Sequence, residues 1–471
     1  MSRRKLKTPK SKANQPKPRA QPPKAWDIKN PHAAGIDIHS DNHVVCVGQS
    51  TEDLRTFGAY TADLYALVDY LRQAGVTTVA LESTGVYWIP LFELLEKEGF
   101  EVFLIEPGQL KSFGARPKTD VHDCQWLQRL HTYGLLKGSF RPPEAVQALR
   151  AYHRQRLTLI RNCARAIQHM QKALEQMNVK LTEVLSDIAC MTGLLIIRAI
   201  LAGERDSGVL ARLRDQRCAT SEAEIALALQ GTWLPEHLFS LRQAVEAYDF
   251  YQKQKGHCEE AIEAELKKQT PRSGDKKLEK KAPGRGRKRN DLTFESKTLL
   301  FEALGVDLTA IEGIDVATAL VILSEIGADV SKFPTEQQFA AWLGLAPRTH
   351  RSNRTESRRP PRKGKNRVAQ ALRQCAQAVS KTQTPLAAFY RRIRSRIGGK
   401  GACTATAHKL ARLVYRMLKY GTEYVVKGMA DYERKVREQQ ERSLRKKARL
   451  LGYELVAKEP SQAETPAVLA T

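Results

Sequence analysis

An aspartate interrupts an apolar, strand-like segment near the start of the chain, Ala-Ala-Gly-Ile-Asp-Ile at residues 33–38. An ionised carboxylate is costly in such a segment unless it is paired or bound to a metal ion. Three further acidic residues stand where predicted elements begin or end: Glu82, Asp120 and Asp123. We interpret Asp37 and these three residues as one site, because four converging carboxylates favour a divalent cation.

The segments around these acids alternate between strand and helix periodicity. Apolar, β-branched runs predict strands at 33–37, 44–48, 55–60, 76–81 and 101–105. Apolar residues at helical spacing predict helices at 64–71, 89–98 and 120–133. The predicted domain is therefore α/β. Asp37 lies on its first strand, Glu82 ends a central strand, and Asp120 and Asp123 share one face of its last helix.

Hard cations determine the chemistry that such a quartet offers. Mg²⁺ or Mn²⁺ takes oxygen ligands, usually one or two carboxylates with water and phosphate oxygens. Two such ions about 3.5–4 Å apart can clamp the attacking and leaving oxygens of a phosphodiester. A lone Asp-x-x-Asp at a helix start is usually a solvated cap, so the metal interpretation depends on all four residues together.

The charge of the chain points to a polyanionic partner. Lys and Arg number 77 against 51 Asp and Glu, which gives a net charge of +26. Nucleic acid is the partner that such an excess most often serves. The 8 cysteines form no Cys-x-x-Cys pair, which argues against a zinc ribbon or a disulfide framework and for a reducing cytosol. No secretory signal or membrane span is evident, so we expect a cytoplasmic protein.

Composition divides the chain into six parts. The predicted parts are a basic, proline-containing tail at 1–30, the α/β domain at 31–145, a helical coiled-coil region at 146–266, a basic linker at 267–292, a mainly α C-terminal domain at 293–430 and a charged tail at 431–471. The tail and the linker are each too polar to fold alone. Each is either a plain tether or a nucleic-acid contact.

The middle region carries a heptad seam that runs from Ile160 to Ile188 in steps of three and four residues. The seam either packs against a helix of the same chain, for which 239–266 is the candidate, or joins two subunits. Its basic outer face at Arg150, Arg154 and Arg156, continued by Arg161, Arg165 and Lys172, either tracks phosphate or is simply solvated.

The C-terminal domain contains a helix-hairpin-helix-like element at 308–327, in which the turn at Gly313 serves packing more than phosphate binding. A basic stretch follows at 348–367, with nine Lys and Arg against one acid, Glu356. Helices are predicted at 367–381, 386–397 and 405–419. The candidate nucleic-acid contacts are Arg348, Arg351, Arg354, Arg358, Arg359, Arg362, Lys363 and Lys365.

Several motifs occur in an order that resembles one known family. They are Gly-Ile-Asp-Ile-His at 35–39, Leu-Glu-Ser-Thr-Gly-Val-Tyr-Trp at 81–88, Lys-Thr-Asp-Val-His-Asp at 118–123, Trp-Leu-Gly-Leu-Ala-Pro at 342–347 and Thr-Ala-His-Lys-Leu-Ala-Arg-Leu at 406–413. The chain resembles transposases of the bacterial insertion-sequence family 110, in its 1111 subgroup, over residues 31 to 430.

The resemblance implies a fold, a site and partners. It implies an RNase H/RuvC-like N-terminal domain whose Asp-Glu-Asp-Asp quartet falls on Asp37, Glu82, Asp120 and Asp123. It also implies a coiled-coil middle and a C-terminal domain with a serine nucleophile, which falls on Ser352 or, if the loop is shifted, on Ser357. Where the family usually has two glycines after this serine, the chain has Asn353 and Arg354.

Three functions are compatible with these observations. The first is a DNA transposase and site-specific recombinase that uses the serine and the metal-bound quartet, assembles as a dimer or tetramer, and is directed by a structured guide RNA, as the resemblance implies. The second is a metal-only nuclease or resolvase of the RuvC type. The third is a non-catalytic scaffold that binds nucleic acid.

Overall fold

The computed structural model divides the chain into two units, residues 1–141 and 142–471. It describes residues 27–82, 85–110, 113, 119–274, 276–278, 288–352, 355–359, 366–422, 434, 438, 441–454 and 456. The side chains of 120, 348–352 and 355–359 lie outside that description. The predicted tails at 1–30 and 431–471 and the predicted linker at 267–292 therefore fall partly or mostly outside it, and their roles stay predictions.

A five-stranded mixed sheet forms the centre of the first unit, with strand order β3-β2-β1-β4-β5. Strands β1, β2 and β3 are antiparallel neighbours, whereas β4 runs parallel to both β1 and β5. Its elements are β1 (Ala33–Ile38), β2 (Asn42–Cys46), β3 (Leu54–Gly58), α1 (Thr61–Gln73), β4 (Thr78–Glu82), α2 (Trp88–Lys97), β5 (Glu101–Ile105), α3 (Pro107–Leu110) and α4 (Asp120–Thr132). This mixed α/β unit fits the predicted RNase H-like fold.

The two faces of the sheet bury different side chains. On one face Ile36 and Ile38 of β1 and Leu81 of β4 pack in a core with the apolar sides of α1 and α2. On the other face Ala80 and Ile105 pack with Leu127 and Leu130 of α4. Alternate residues of a strand point to opposite faces, so β1 and β4 present one row of residues to each layer of helices.

Helices make up most of the second unit. Its elements are α5 (Glu144–Gln176), α6 (Leu181–Val184), α7 (Met191–Ala202), α8 (Ser207–Ala211), α9 (Glu222–Ala228), α10 (Pro235–Lys268), α11 (Ser296–Leu304), α12 (Val316–Ile326), α13 (Glu336–Trp342), β6 (Arg348–Ser352), β7 (Thr355–Arg359), α14 (Arg367–Val379) and α15 (Pro385–Tyr420). The helical remainder of the chain agrees with the predicted fold class. Among the described helices none is long and apolar enough to cross a membrane.

The predicted heptad seam is longer than the helix that carries it. Helix α5 ends at Gln176, and Asn178 takes a left-handed φ of 57° just beyond it. Asparagine tolerates that conformation better than most residues, so it breaks the helix although the apolar spacing continues. Leu181 and Ile188 therefore enter the same core from separate short segments.

The seam packs within the chain. Met170 and Leu174 of α5 are buried in one core with Leu241 and Tyr248 of α10. The backbone amide of Thr232, just before α10, donates to the carbonyl of Met177 at 2.8 Å, while Arg156 near the start of α5 bonds Glu259 near the end of α10, so the helices are antiparallel. The apolar side chains of the seam, which we considered available to a second subunit, are therefore buried against α10.

Part of the basic outer face that we predicted on α5 forms ion pairs with other helices of the same unit. Arg156 is buried and donates to Glu259 at 2.8 Å, and Arg150 and Arg154 bond Glu325 of α12 at 3.0 Å and 2.8 Å. Arg367, at the start of α14, lies 3.6 Å from the same Glu325. Burial raises the pKa of Glu325, but the hydrogen bond from Arg154 and the neighbouring arginine charges outweigh it and lower that pKa below its usual value. These arginines hold α5, α10, α12 and α14 together.

The C-terminal part differs from prediction in two elements. The first helix of the predicted helix-hairpin-helix-like element is a single 3-10 turn at Leu308–Ala310. Gly313 has a φ of 83°, and a Cβ there would lie 2.3 Å from Val379 Cγ2 of α14, so the turn packs closely against that helix. The basic stretch, which we predicted as a loop, instead forms the antiparallel pair β6 and β7.

We predict that Leu174→Ala lowers the free energy of unfolding by about 2–5 kcal/mol, because it leaves a cavity in the core between α5 and α10. Urea unfolding followed by circular dichroism measures the change. Leu227→Ala is the control, because Leu227 is exposed, and its effect should stay within about 0.5 kcal/mol. A loss of oligomer mass without a loss of stability would instead place the seam between subunits.

Candidate functional site

Asp37 and Glu82 lie side by side at one edge of the sheet. The parallel strands β1 and β4 pair Ile36 with Leu81, and Asp37 and Glu82 are the next residue of each strand. Asp37 is 8% exposed and Glu82 is partly buried. Both acids therefore stand at the carboxyl end of adjacent parallel strands, an edge where ligand sites of α/β sheets commonly form.

Both acids belong to the face of the sheet that α4 covers. A Cβ on Gly35 would lie 2.5 Å from the backbone nitrogen of Gln128 in α4, so Gly35 points directly at that helix. Asp37 is two residues further along β1 and points to the same side. Glu82 stands in the same relation to Ala80, which packs with the apolar side of α4.

Helix α4 runs antiparallel to β1, so the first turn of α4 lies towards Asp37. The Gln128 amide donates to the Ala33 carbonyl at 3.1 Å, and the Cys124 thiol donates to the Gly35 carbonyl at 3.2 Å. One helical turn of four residues, about 6 Å, thus matches two strand residues, about 6.6 Å. Four residues along α4 lead from Cys124 to Asp120, and two residues along β1 lead from Gly35 to Asp37. The backbone of Asp120 therefore lies at the level of Asp37.

The start of α4 is fixed by its sequence. Thr119 has an extended backbone, and its hydroxyl accepts from the His122 amide at 3.3 Å, which caps the helix. Asp123 follows one turn into the helix and is partly buried. It directly precedes Cys124, which is buried against β1 and β2. Carboxylates in this first turn are stabilised by the helix dipole, and they lie at the end of α4 that approaches Asp37.

Two neighbours of the site were not among our predicted site residues. His39 Nε2 lies 3.4 Å from Asp37 Oδ2, so a protonated imidazole would compensate that carboxylate. Cys124 bonds the carbonyls of Gly35 and Val44, which fixes α4 to the two strands beside Asp37. His39 was visible in the Gly-Ile-Asp-Ile-His motif, but the role of Cys124 emerges only when α4 is placed on the sheet.

The side chains that the structure describes include those of Asp37, Glu82 and Asp123. Within that set, no group of three or more His, Cys, Asp or Glu side chains is close enough to hold a metal ion. The Asp120 side chain is outside the set, so at most three members of the quartet could have been found there. The adjacent positions of Asp37 and Glu82, and the approach of α4, still supply the hard oxygen donors that Mg²⁺ prefers.

The predicted serine site lies on the β6–β7 hairpin. Ser352 pairs with Thr355, and Ser357 pairs with His350. The two serines are therefore at different levels of the hairpin, with Ser352 at its loop end. All eight predicted nucleic-acid contacts fall outside the described residues or side chains: Arg348, Arg351, Arg354, Arg358, Arg359, Arg362, Lys363 and Lys365.

Comparison with known proteins identifies the class to which this fold and site belong. Residues 34–179 match the family model described as the transposase domain DEDD_Tnp_IS110. Residues 307–391 match the model of the IS116/IS110/IS902 transposase family. A curated relative from Pseudomonas aeruginosa, described as a probable family 20 transposase, is 22% identical over 319 residues, which cover 67% of this chain and 70% of the relative.

These matches confirm the resemblance that the motifs indicated. The two family models fall in the expected order, one over the acidic quartet and one over the region before and after the β6–β7 hairpin. Together, the two models and the relative support an IS110-family transposase. Its assignment to the 1111 subgroup stays a prediction.

We predict that Gly35→Ala destabilises the first unit by about 1–3 kcal/mol, because the added methyl group meets the backbone of α4. The displacement of α4 should also lower recombination. Thermal unfolding and a plasmid recombination assay measure the two effects.

The matched control is Gly256→Ala in α10, where an added Cβ meets no atom within 4 Å. It should raise stability by about 0.5–1 kcal/mol through helix propensity. Equal stability of Gly35→Ala and the wild-type protein would show that α4 does not rest on β1 as described.

Proposed function

We propose that this protein is a DNA recombinase that cuts and rejoins the ends of an insertion sequence and its target. Its catalytic groups would be Ser352 and the carboxylates of Asp37, Glu82, Asp120 and Asp123. The observation that carries the proposal is the adjacency of Asp37 and Glu82 on β1 and β4, below the helix that begins with Asp120. The family assignment supports transposition as the biological role.

The acidic quartet would hold Mg²⁺ or Mn²⁺. The bound cation supplies charge stabilisation at a phosphate and favours the deprotonated form of an attacking hydroxyl. The residues of the chain hold its position: the strand pairing fixes Asp37 against Glu82, and the contact of α4 with Gly35 fixes the first turn of α4. His39, at 3.4 Å from Asp37, would orient that carboxylate.

Ser352 would act as the nucleophile. Its hydroxyl oxygen would attack a DNA phosphorus, a bond from serine oxygen to phosphorus would form, and the bond from phosphorus to one sugar oxygen would break. The serine proton leaves to a base, and the departing sugar oxygen takes up a proton. The phosphodiester energy is retained in the serine–DNA link, so the reverse attack by a new strand end rejoins DNA without ATP.

Basic side chains around the serine would stabilise the reaction. Arg348, Arg351 and Arg354 are the candidates, because guanidinium groups pair with phosphate oxygens through two parallel hydrogen bonds. They would neutralise charge that develops on the phosphate during attack. The further arginines and lysines of the stretch, Arg358, Arg359, Arg362, Lys363 and Lys365, would hold the nucleic-acid backbone.

The proposed partners are double-stranded DNA, a structured guide RNA encoded beside the element, and further copies of this chain in a dimer or tetramer. The net charge of +26 supports the nucleic-acid partners. The proposed location is the bacterial cytoplasm at the nucleoid. Sequencing the RNA that co-purifies with the protein, from cells that carry the whole element, tests the guide RNA directly.

We predict that Asp37→Asn lowers recombination by about a hundredfold or more, because it removes ligand charge while keeping the side-chain shape. Recombination of a reporter plasmid in the presence of Mg²⁺ measures the effect, with circular dichroism as a check on folding. Asp41→Asn is the matched control, since Asp41 is exposed between β1 and β2 and loses the same charge. Near-normal recombination by Asp37→Asn would refute the metal site.

We predict that Ser352→Ala still binds DNA but forms no covalent adduct with it. Alanine has no oxygen to attack phosphorus, whereas the neighbouring arginines preserve binding. A nicked substrate traps the adduct, denaturing electrophoresis detects it, and peptide mapping should place it at residues 349–354 in the wild-type protein.

Ser357→Ala is the matched control and should retain the adduct. An adduct that maps to Ser357 would transfer the nucleophile to the paired strand β7. DNA cleavage by every variant without any adduct would favour the metal-only nuclease, in which the quartet acts alone.

A further inference from the structure

The longest C-terminal helix ends its first half in a strongly basic, exposed segment. Within α15, residues 391–400 read Arg-Arg-Ile-Arg-Ser-Arg-Ile-Gly-Gly-Lys and contain five basic residues and no acid. None of these ten residues is buried, and eight are exposed. We call residues 391–400 the basic arm. All of it except Arg391 lies beyond the matched family region, which ends at 391, and it is outside the basic stretch at 348–367.

The base of the basic arm is anchored in the C-terminal core. Leu386, Ala387 and Tyr390 are buried in the two turns before it. Arg391 at its start donates to the carbonyl of Thr382 at 2.9 Å. Gly398 interrupts the helix with a left-handed φ of 77°, a conformation that glycine adopts without strain. The basic arm is therefore helical up to Ile397, is held at its start, and exposes most of its residues, while Lys400 follows the interruption at Gly398.

The charges of the basic arm have no compensating acids nearby in the sequence. No Asp or Glu occurs between Glu356 and Glu423, a stretch with 17 Lys and Arg. Arg412 and Arg416, later in α15, bond Glu336, but no carboxylate of the described residues pairs with Arg394, Arg396 or Lys400. This contrasts with Arg150, Arg154 and Arg156 of α5, each of which bonds a carboxylate.

Repulsion between like charges destabilises the helix of the basic arm. Like charges one turn apart, as in Arg392 and Arg396, destabilise a helix. A helix that is polar on all sides normally compensates through pairs of opposite charge, which the basic arm lacks. The positive potential also reaches Lys409: burial, Arg392 and Arg412 together lower its pKa to about 8. A bound polyanion would remove this repulsion.

We propose that the basic arm inserts into the major groove of double-stranded DNA. An α-helix with its side chains is about 10–12 Å wide, which matches the major groove of B-DNA at about 12 Å. The major groove of A-form RNA is deep and narrow, so the same segment does not fit duplex RNA. Arg394, Arg396 and Lys400 reach phosphates or guanine edges, and Ile397, 63% exposed, is available to a thymine methyl group.

The inference rests on the proposed function only in taking DNA as the substrate. It concerns binding and requires neither Ser352 nor the acidic quartet. The test therefore measures the affinity of the full-length protein for a 30-base-pair duplex (a length of about three helical turns) in the presence of EDTA. A loss of recombination with unchanged binding would count against the proposed chemistry and not against the basic arm.

The test variant combines Arg394→Gln, Arg396→Gln and Lys400→Gln, which remove the charge but keep a polar, unbranched side chain of similar helix propensity. The matched control combines Lys97→Gln, Arg212→Gln and Lys253→Gln, which remove the same charge from exposed positions elsewhere. Fluorescence anisotropy over a salt series measures binding. We expect the arm variant to bind at least about tenfold more weakly, with a log–log salt slope shallower by about 3, and the control to change that slope by less than about 1.

Two further measurements separate a groove contact from a general charge effect. Dimethyl sulfate methylates guanine N7 in the major groove, so the wild-type protein should protect guanines that the arm variant leaves reactive. Affinity for an RNA duplex of the same sequence should be equal for the arm variant and the control. Without DNA, the thermal midpoint of the arm variant should equal or exceed that of the wild-type protein, because repulsion is removed.

Three results would overturn the proposal. The first is an equal loss of DNA affinity in the arm variant and the control, which would reduce the effect to net charge. The second is unchanged guanine protection in the arm variant. The third is a loss of RNA duplex affinity that equals or exceeds the loss of DNA affinity, which would make the basic arm an RNA contact.

Discussion

The contact between Gly35 and α4 determines the geometry of the acidic site. Because Gly35 has no side chain, the helix backbone approaches the strand closely enough for Cys124 and Gln128 to bond the carbonyls of β1. That contact fixes both the distance of α4 from the sheet and its register along β1. The register in turn directs the first turn of α4, with Asp120 and Asp123, to the edge where Asp37 and Glu82 end their strands. A single missing methyl group thus allows the first turn of α4 to approach the end of β1.

The basic residues of the chain fall into two physical classes. One class forms ion pairs with buried carboxylates and links helices to one another. Its members are Arg150, Arg154 and Arg156. The basic arm has no such partner among the described residues, and its charges face solvent. Sequence composition alone cannot separate these classes, because both appear simply as arginines on helices. The distinction requires the positions of Glu259 and Glu325, which are about 100 and 170 residues away in the sequence.

Local periodicity was sufficient to predict the α/β unit. Each long helix of that unit buries one face against the sheet, and the central strands are short apolar runs buried on both faces. The spacing of apolar residues therefore reflects the conformation, and the observed bounds lie within a few residues of those predicted. The same signal was wrong at two places. Apolar spacing continues past Gln176, where the left-handed Asn178 ends the helix. The strands β6 and β7 carry almost no apolar residues, so periodicity gave no indication of a hairpin.

The candidate site was predictable to a similar extent. The four acids were identified from their places at element ends, and the parallel pairing of β1 with β4 brings Asp37 next to Glu82 as expected. The approach of α4 depends on a tertiary contact at Gly35, which no local pattern reveals. The contacts of Cys124 follow from the same approach, whereas His39 lies beside Asp37 within one local motif.

Glu325 couples helix α5 to the start of α14, the helix that follows the β6–β7 hairpin. Its buried carboxylate binds Arg150 and Arg154 of α5 and lies 3.6 Å from Arg367, the residue at which the chain re-enters a helix after β7. A buried carboxylate is held to its cationic partners by the cost of leaving it unpaired. The start of α14 is therefore coupled to α5 and, through it, to α10. A bend or rotation of these two long helices would displace the start of α14, and with it the point at which the chain re-enters a helix after β7.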